Sequence, residues 1–123
     1  MARKKAATLT EAELRLMNVL WERGASTTGE VLEALSEQLA YSTVLTTLRI
    51  LEQKGYIEHT KEGRAFLYRP IVDQDGARRK AVRHLVENFF NKSPGLLVLN
   101  VLQQEELNDE DLKQLKSMIE EGM

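Results

Sequence analysis

The hydrophobic period of this chain switches from helical to strand-like at Gly55, and that switch constrains its fold more than any other feature. Upstream, apolar residues recur at the spacing of amphipathic helices. Leu14, Met17, Leu20 and Trp21 form one stripe, Val31, Leu32 and Leu35 a second, and Val44, Leu45, Leu48 and Leu51 a third. Downstream, Tyr56-Ile57-Glu58-His59-Thr60 and Ala65-Phe66-Leu67-Tyr68-Arg69 are short runs rich in β-formers. Lys61-Glu62-Gly63-Arg64 between them reads as a hairpin turn, and Pro70 ends the second run as proline does at a sheet edge. Three short helices and then a hairpin is the order of a winged helix-turn-helix.

The helix boundaries are signed independently of the stripes. Thr10 with Glu13, and Thr27 with Glu30, have the spacing of capping boxes, in which a hydroxyl and a carboxylate each satisfy one orphan N–H. Leu9 and Leu14 stand where a hydrophobic staple belongs. Gly24 and Gly55 are placed to stop the first and third helices, and Gly29 weakens the second without forbidding it.

Beyond residue 72 the period is helical again. Val82, Leu85, Val86, Phe89 and Phe90 make an i, i+3, i+4, i+7, i+8 stripe. Ser93-Pro94-Gly95 breaks the chain and starts a new helix, with Ser93 as cap and Pro94 in the first turn. Residues 96–102 are apolar except for Asn100, and Asn108-Asp109-Glu110-Asp111 caps a last helix carrying Leu112, Leu115 and Ile119. The expected fold is therefore mainly α with a small β-hairpin wing: a winged helix-turn-helix domain over residues 1–72 and a C-terminal helical dimerisation segment over 73–123. The second segment is too apolar to stand alone, so Val86, Phe89, Phe90, Leu97, Val101, Leu112 and Leu115 are expected at a homodimer interface. Folding back onto the chain's own first domain is the alternative.

Charge narrows the partner less than shape does. The formal net charge is −2, with 10 Lys/Arg against 9 Asp/Glu in residues 1–70 and 7 against 10 in residues 71–123. Many DNA-binding domains are more basic. A second copy would double the cations offered by Arg3, Lys4, Lys5, Lys61 and Arg64, and affinity for DNA rises steeply with phosphates neutralised. The chain has no cysteine, which excludes disulfides and thiolate metal sites and fits a cytoplasmic protein. No run is long and apolar enough to span a bilayer, and no signal-peptide core follows the basic start.

The third helix carries the candidate recognition chemistry. Ser42, Thr46, Arg49 and Gln53 fall opposite its apolar stripe, with Thr43 and Ile50 on the flank. Hydroxyls suit phosphates and base edges, a Thr methyl packs on a thymine methyl, and Arg49 reaches a phosphate or a guanine. A merely solvated face would favour Glu and Lys, which are better helix formers than Ser and Thr. Lys61 and Arg64 at the hairpin tip are candidate phosphate contacts, or an ordinary charged turn. His59 and His84 have no metal-pair spacing, and Tyr41, Tyr56 and Tyr68 read as core or interface. No cofactor site, nucleophile triad, paired-carboxylate cleft or Gly-rich phosphate loop is visible, so no enzymatic activity is expected. The rival functions are a winged-helix protein-binding module and a repressor that senses a small molecule.

With these residues in view, the sequence resembles the penicillinase repressor (BlaI/MecI/CopY) family of winged-helix regulators. The matching stretches are 9–24 (LTEAELRLMNVLWERG), 40–55 (AYSTVLTTLRILEQKG), 63–70 (GRAFLYRP) and 97–107 (LVLNVLQQEEL). The resemblance implies a cytoplasmic repressor, homodimeric on inverted-repeat operator DNA, controlling an antibiotic-resistance or stress-response operon. It also implies release by an inducer-activated protease that cuts after an Asn in the 97–101 segment, here the Asn100–Val101 bond. Three departures stand out. Copper-responsive members carry a C-terminal cysteine cluster that this chain lacks. Leu45 stands where some penicillinase repressors have a basic residue, and Val101 where those relatives have an aromatic one. Asn100 has a second reading, as a polar residue fixing the register of an apolar interface.

Overall fold

The structure, a computed structural model, describes residues 8–122. The basic residues Arg3, Lys4 and Lys5, expected to add phosphate contacts, lie outside the described residues. Eight elements follow in order: α1 (Glu11–Arg23), α2 (Thr28–Ala34), α3 (Tyr41–Lys54), β1 (Ile57–Glu62), β2 (Ala65–Pro70), α4 (Gln74–Phe89), α5 (Pro94–Gln104) and α6 (Asp109–Glu120). They divide into two compact units, the first ending at His84 and the second starting at Leu85. No helix among the described residues is long and apolar enough to cross a membrane.

In the first unit, local signals set the helices. Both capping boxes form: the Thr10 and Thr27 hydroxyls accept from the Glu13 and Glu30 amides, whose carboxylates accept in return. Gly55 closes α3 at φ +89°, a left-handed conformation that costs glycine nothing. The core gathers Leu16, Met17 and Leu20 from α1, Val31 from α2, Val44, Leu48 and Leu51 from α3, and Tyr56, Ile57 and Tyr68 from the hairpin. Leu14, placed on the inner stripe of α1 by spacing, is instead exposed. Glu13, Leu16, Met17 and Leu20 share one face of α1, and Leu14 lies about 90° around it, on the rim. Leu45 sits at the same kind of rim on α3 and is half-buried.

The hairpin is antiparallel, in register from Ile57↔Pro70 to Glu62↔Ala65. Its turn is therefore the two residues Gly63 and Arg64, tighter than the four-residue loop read from sequence, with Gly63 at φ +62°. The segment before α2 adds a third stub: Ser26 and Tyr68 exchange both backbone hydrogen bonds, at 2.9 and 2.8 Å. Trp21 Nε1 donates to the Val72 carbonyl at 2.9 Å, so the chain leaving the hairpin is tied back to α1. Val72 and Ala77 then pack on the core, and Lys80 lies 5.1 Å above the Tyr56 ring.

The second unit has a different character. Asn91 and Lys92, at φ +55° and +63°, turn the chain out of α4. The Ser93 hydroxyl then accepts from the Leu96 amide, with Pro94 in the first turn, and Asn108 caps α6 through the Asp111 amide at 2.7 Å. Yet α5 and α6 contain no buried residue. Phe89, Val101 and Leu112 are exposed, while Val86, Phe90, Leu97 and Leu115 are half-buried. Leu96, Val98, Leu99, Leu102, Met118 and Ile119 are also exposed. These side chains leave much apolar surface uncovered within their own unit.

Candidate nucleic-acid interface

The core-facing stripe of α3 fixes which side chains point outward. With Val44, Leu48 and Leu51 fully buried, Ser42, Thr43, Thr46 and Arg49 are all exposed. Thr47 is partly buried and its hydroxyl donates to the Thr43 carbonyl at 2.9 Å, so this threonine is spent on its own helix. Arg49 forms no salt bridge among the described residues, and neither do Lys61 and Arg64. Exposed cations with no ion-pair partner among the described residues are available to an anionic one.

The hairpin and α3 flank a cleft of about 180 Å³. Tyr41, Leu45 and Arg49 line it from one side of α3, spaced one turn apart, and Arg64, Ala65 and Phe66 from the hairpin. Thr27 and Thr28 close it at the start of α2. Arg49 and Arg64 are thus brought together on one cleft, while Lys61 is exposed on β1 and does not line it. Tyr41, expected in the core or an interface, is 55% exposed on this cleft, whereas Tyr56 and Tyr68 are buried. Burial pushes the Tyr68 phenol above its ordinary value, Glu52 adds to the rise, and Arg49 opposes it.

Three features of the site carry no periodic signal in the sequence. His59 Nδ1 lies 2.9 and 2.7 Å from the two carboxylate oxygens of Glu52, joining β1 to α3. Arg69 Nη2 donates to the Thr60 hydroxyl at 3.0 Å, bracing the strands. A basic run, Arg78, Arg79, Lys80 and Arg83, lies on α4. Two of its cations are engaged within the chain, Arg79 with Asp75 and Lys80 over Tyr56. The first turn of α6 holds Asp109, Glu110 and Asp111, and no group of three or more metal-ligating side chains forms among the described residues.

Comparison with known proteins agrees with this geometry. Over 120 residues the chain is 33% identical to the penicillinase repressor of Bacillus licheniformis, covering 96% of this chain and 94% of that protein. The solution structure of the DNA binding domain of the repressor BlaI superposes with a TM-score of 0.53 at 37% identity, covering 60% of this chain and 93% of that one. A second solution structure, of Bacillus licheniformis BlaI in monomeric form in complex with the blaP half-operator, gives a TM-score of 0.50 at 34% identity, covering 59% and 93%. Both matches have the size of the winged-helix unit that carries the cleft. The sequence profile described as penicillinase repressor matches residues 9–121, and with nearly the whole chain inside that match, the chain belongs to the penicillinase repressor family.

Proposed function

We propose that this chain is a transcriptional repressor that binds an inverted-repeat operator as a homodimer, in the cytoplasm, and controls an antibiotic-resistance or stress-response operon. One observation carries the reading most. Arg49 of α3 and Arg64 of the wing line one cleft, and the exposed Ser42, Thr43 and Thr46 lie on the same helix as Arg49, in the unit that resembles the BlaI DNA binding domain. A relative of that unit is known bound to a half-operator.

In this account α3 enters the major groove. Ser42, Thr43, Thr46 and Arg49 meet base edges and nearby phosphates, and Lys61 and Arg64 take backbone phosphates beside the groove. The winged helix, residues 1–72 with the first turns of α4 packed on it, reads DNA, and the remaining helices pair two copies. Val86, Phe89, Phe90, Leu97, Val101, Leu112 and Leu115 are the interface residues, because each presents apolar surface that its own unit leaves uncovered. A two-fold dimer presents two recognition helices to two half-sites. The chain acts by binding, not by chemistry.

Release by cleavage at Asn100–Val101 is part of the same reading. Asn100 is exposed, but the bond lies inside α5, so a protease needs that helix to open locally. Mass spectrometry of the repressor from induced cells tests it: an intact chain with repression relieved rules the cut out. The DNA-binding reading itself is tested by titrating a duplex from the chain's own upstream region against a random-sequence duplex at rising salt. The account expects a steep loss with salt for both and a higher affinity for the first. Salt-independent binding, or no preference between them, contradicts it.

A further inference from the structure

The wing needs a fixed attitude to place its arginine, and a lone two-stranded hairpin is marginal in water. Its second strand is held at mid-length by the backbone exchange between Ser26 and Tyr68. On the same rung, where His59 of the first strand pairs with Tyr68, a side-chain hydrogen bond from His59 to Glu52 ties the first strand to α3. A carboxylate only accepts, so Nδ1 carries the proton and donates. The same imidazole packs against Phe66 with ring centroids 4.5 Å apart, and against Tyr68 at 5.6 Å. Phe66 is a wall of the cleft two residues from Arg64, and Glu52 lies three residues from Arg49 on α3.

We infer that His59 and Glu52 are positioning residues for DNA binding: their clasp holds the wing where Arg64 and Arg49 meet on one cleft. This rests on the DNA-binding reading above. Neither residue touches a base or phosphate in this role; both act through the wing. The two side chains are 35% and 32% exposed, and a single hydrogen bond this open to solvent contributes little to global stability. Removing the clasp therefore leaves the domain folded and frees the wing.

The test is a double-mutant cycle in the full-length protein. His59→Phe keeps a ring against Phe66 and removes the donor. Glu52→Leu removes the acceptor from the helix side, and Glu52→Gln keeps an acceptor oxygen as the conservative rescue. Each is combined with Arg64→Ala, and dissociation constants are measured for the upstream-region duplex and a random-sequence duplex. Losing the clasp weakens both probes on the order of two- to fivefold per protomer, the range of a single half-exposed pair. Arg64→Ala weakens the wild type and the Glu52→Gln variant alike, and loses most of its effect in His59→Phe and Glu52→Leu. Hairpin amides exchange faster in those two variants while α1 amides do not, which separates a freed wing from general unfolding. An Arg64→Ala loss of equal size in all backgrounds, or unchanged hairpin exchange, overturns the clasp while leaving the DNA-binding reading intact. Failure of the wild type to bind either duplex overturns both.

Discussion

The Lys54 ammonium lies 2.7 Å from Oε1 of Glu13, joining the last turn of α3 to the first turn of α1 across 41 residues of sequence. The same carboxylate oxygen accepts from the Thr10 amide at 2.9 Å, so a local capping box and a tertiary ion pair share one atom. Burial alone raises the Glu13 pKa. The Lys54 hydrogen bond and charge, with the Thr10 bonds, more than reverse this and hold it below the ordinary value.

A carboxylate whose folded pKa is depressed stabilises the fold above its unfolded pKa, and that stability disappears as pH falls through the folded value. Glu13→Gln is therefore expected to cost about 1–3 kcal/mol at neutral pH, the range for disturbing a buried charged hydrogen bond. The gap between variant and wild type should close in strong acid. Urea unfolding at neutral and acid pH measures it; a gap that widens in acid contradicts the assignment.

That pair also shows where the sequence stops being informative. Signals spanning a few residues were readable: both capping boxes, the Gly55 stop, the Ser93-Pro94 start and the hairpin all form. The outward face of α3 was readable too, because 100° per residue fixes what opposes Val44, Leu48 and Leu51. Pairings between distant residues have no such period. Glu13 with Lys54, Ser26 with Tyr68, Trp21 with Val72 and Glu52 with His59 each depend on how elements dock. The cleft has no sequence signal for the same reason, since Leu45 and Tyr41 face it only once the wing folds beside α3.

The recognition face gives a sharper prediction. Thr43→Ala combined with Thr46→Ala should weaken specific binding by about 1–3 kcal/mol for each base edge no longer read. Neither side chain belongs to the buried stripe, so thermal stability and oligomeric state should hold. Gel shifts on the upstream-region duplex measure the effect, and unchanged affinity removes these threonines from the interface.

Truncation after His84 tests the division of labour. It keeps Ala77 on the core and Lys80 on Tyr56, while removing Phe89 and the apolar faces of α5 and α6. The fragment should be a soluble monomer with weak operator affinity, because one recognition helix and one wing replace two. Light scattering that still finds a dimer moves the interface into the winged helix.

The central claim is that two copies present two α3 helices to one symmetric site, and nuclease protection on the chain's own upstream region tests it most directly. The account predicts a protected region with two-fold symmetry, its half-sites separated by about one helical turn of DNA or a multiple of it. It also predicts loss of that pattern in the Thr43→Ala, Thr46→Ala double variant. A single asymmetric footprint, or protection that the double variant leaves intact, contradicts it.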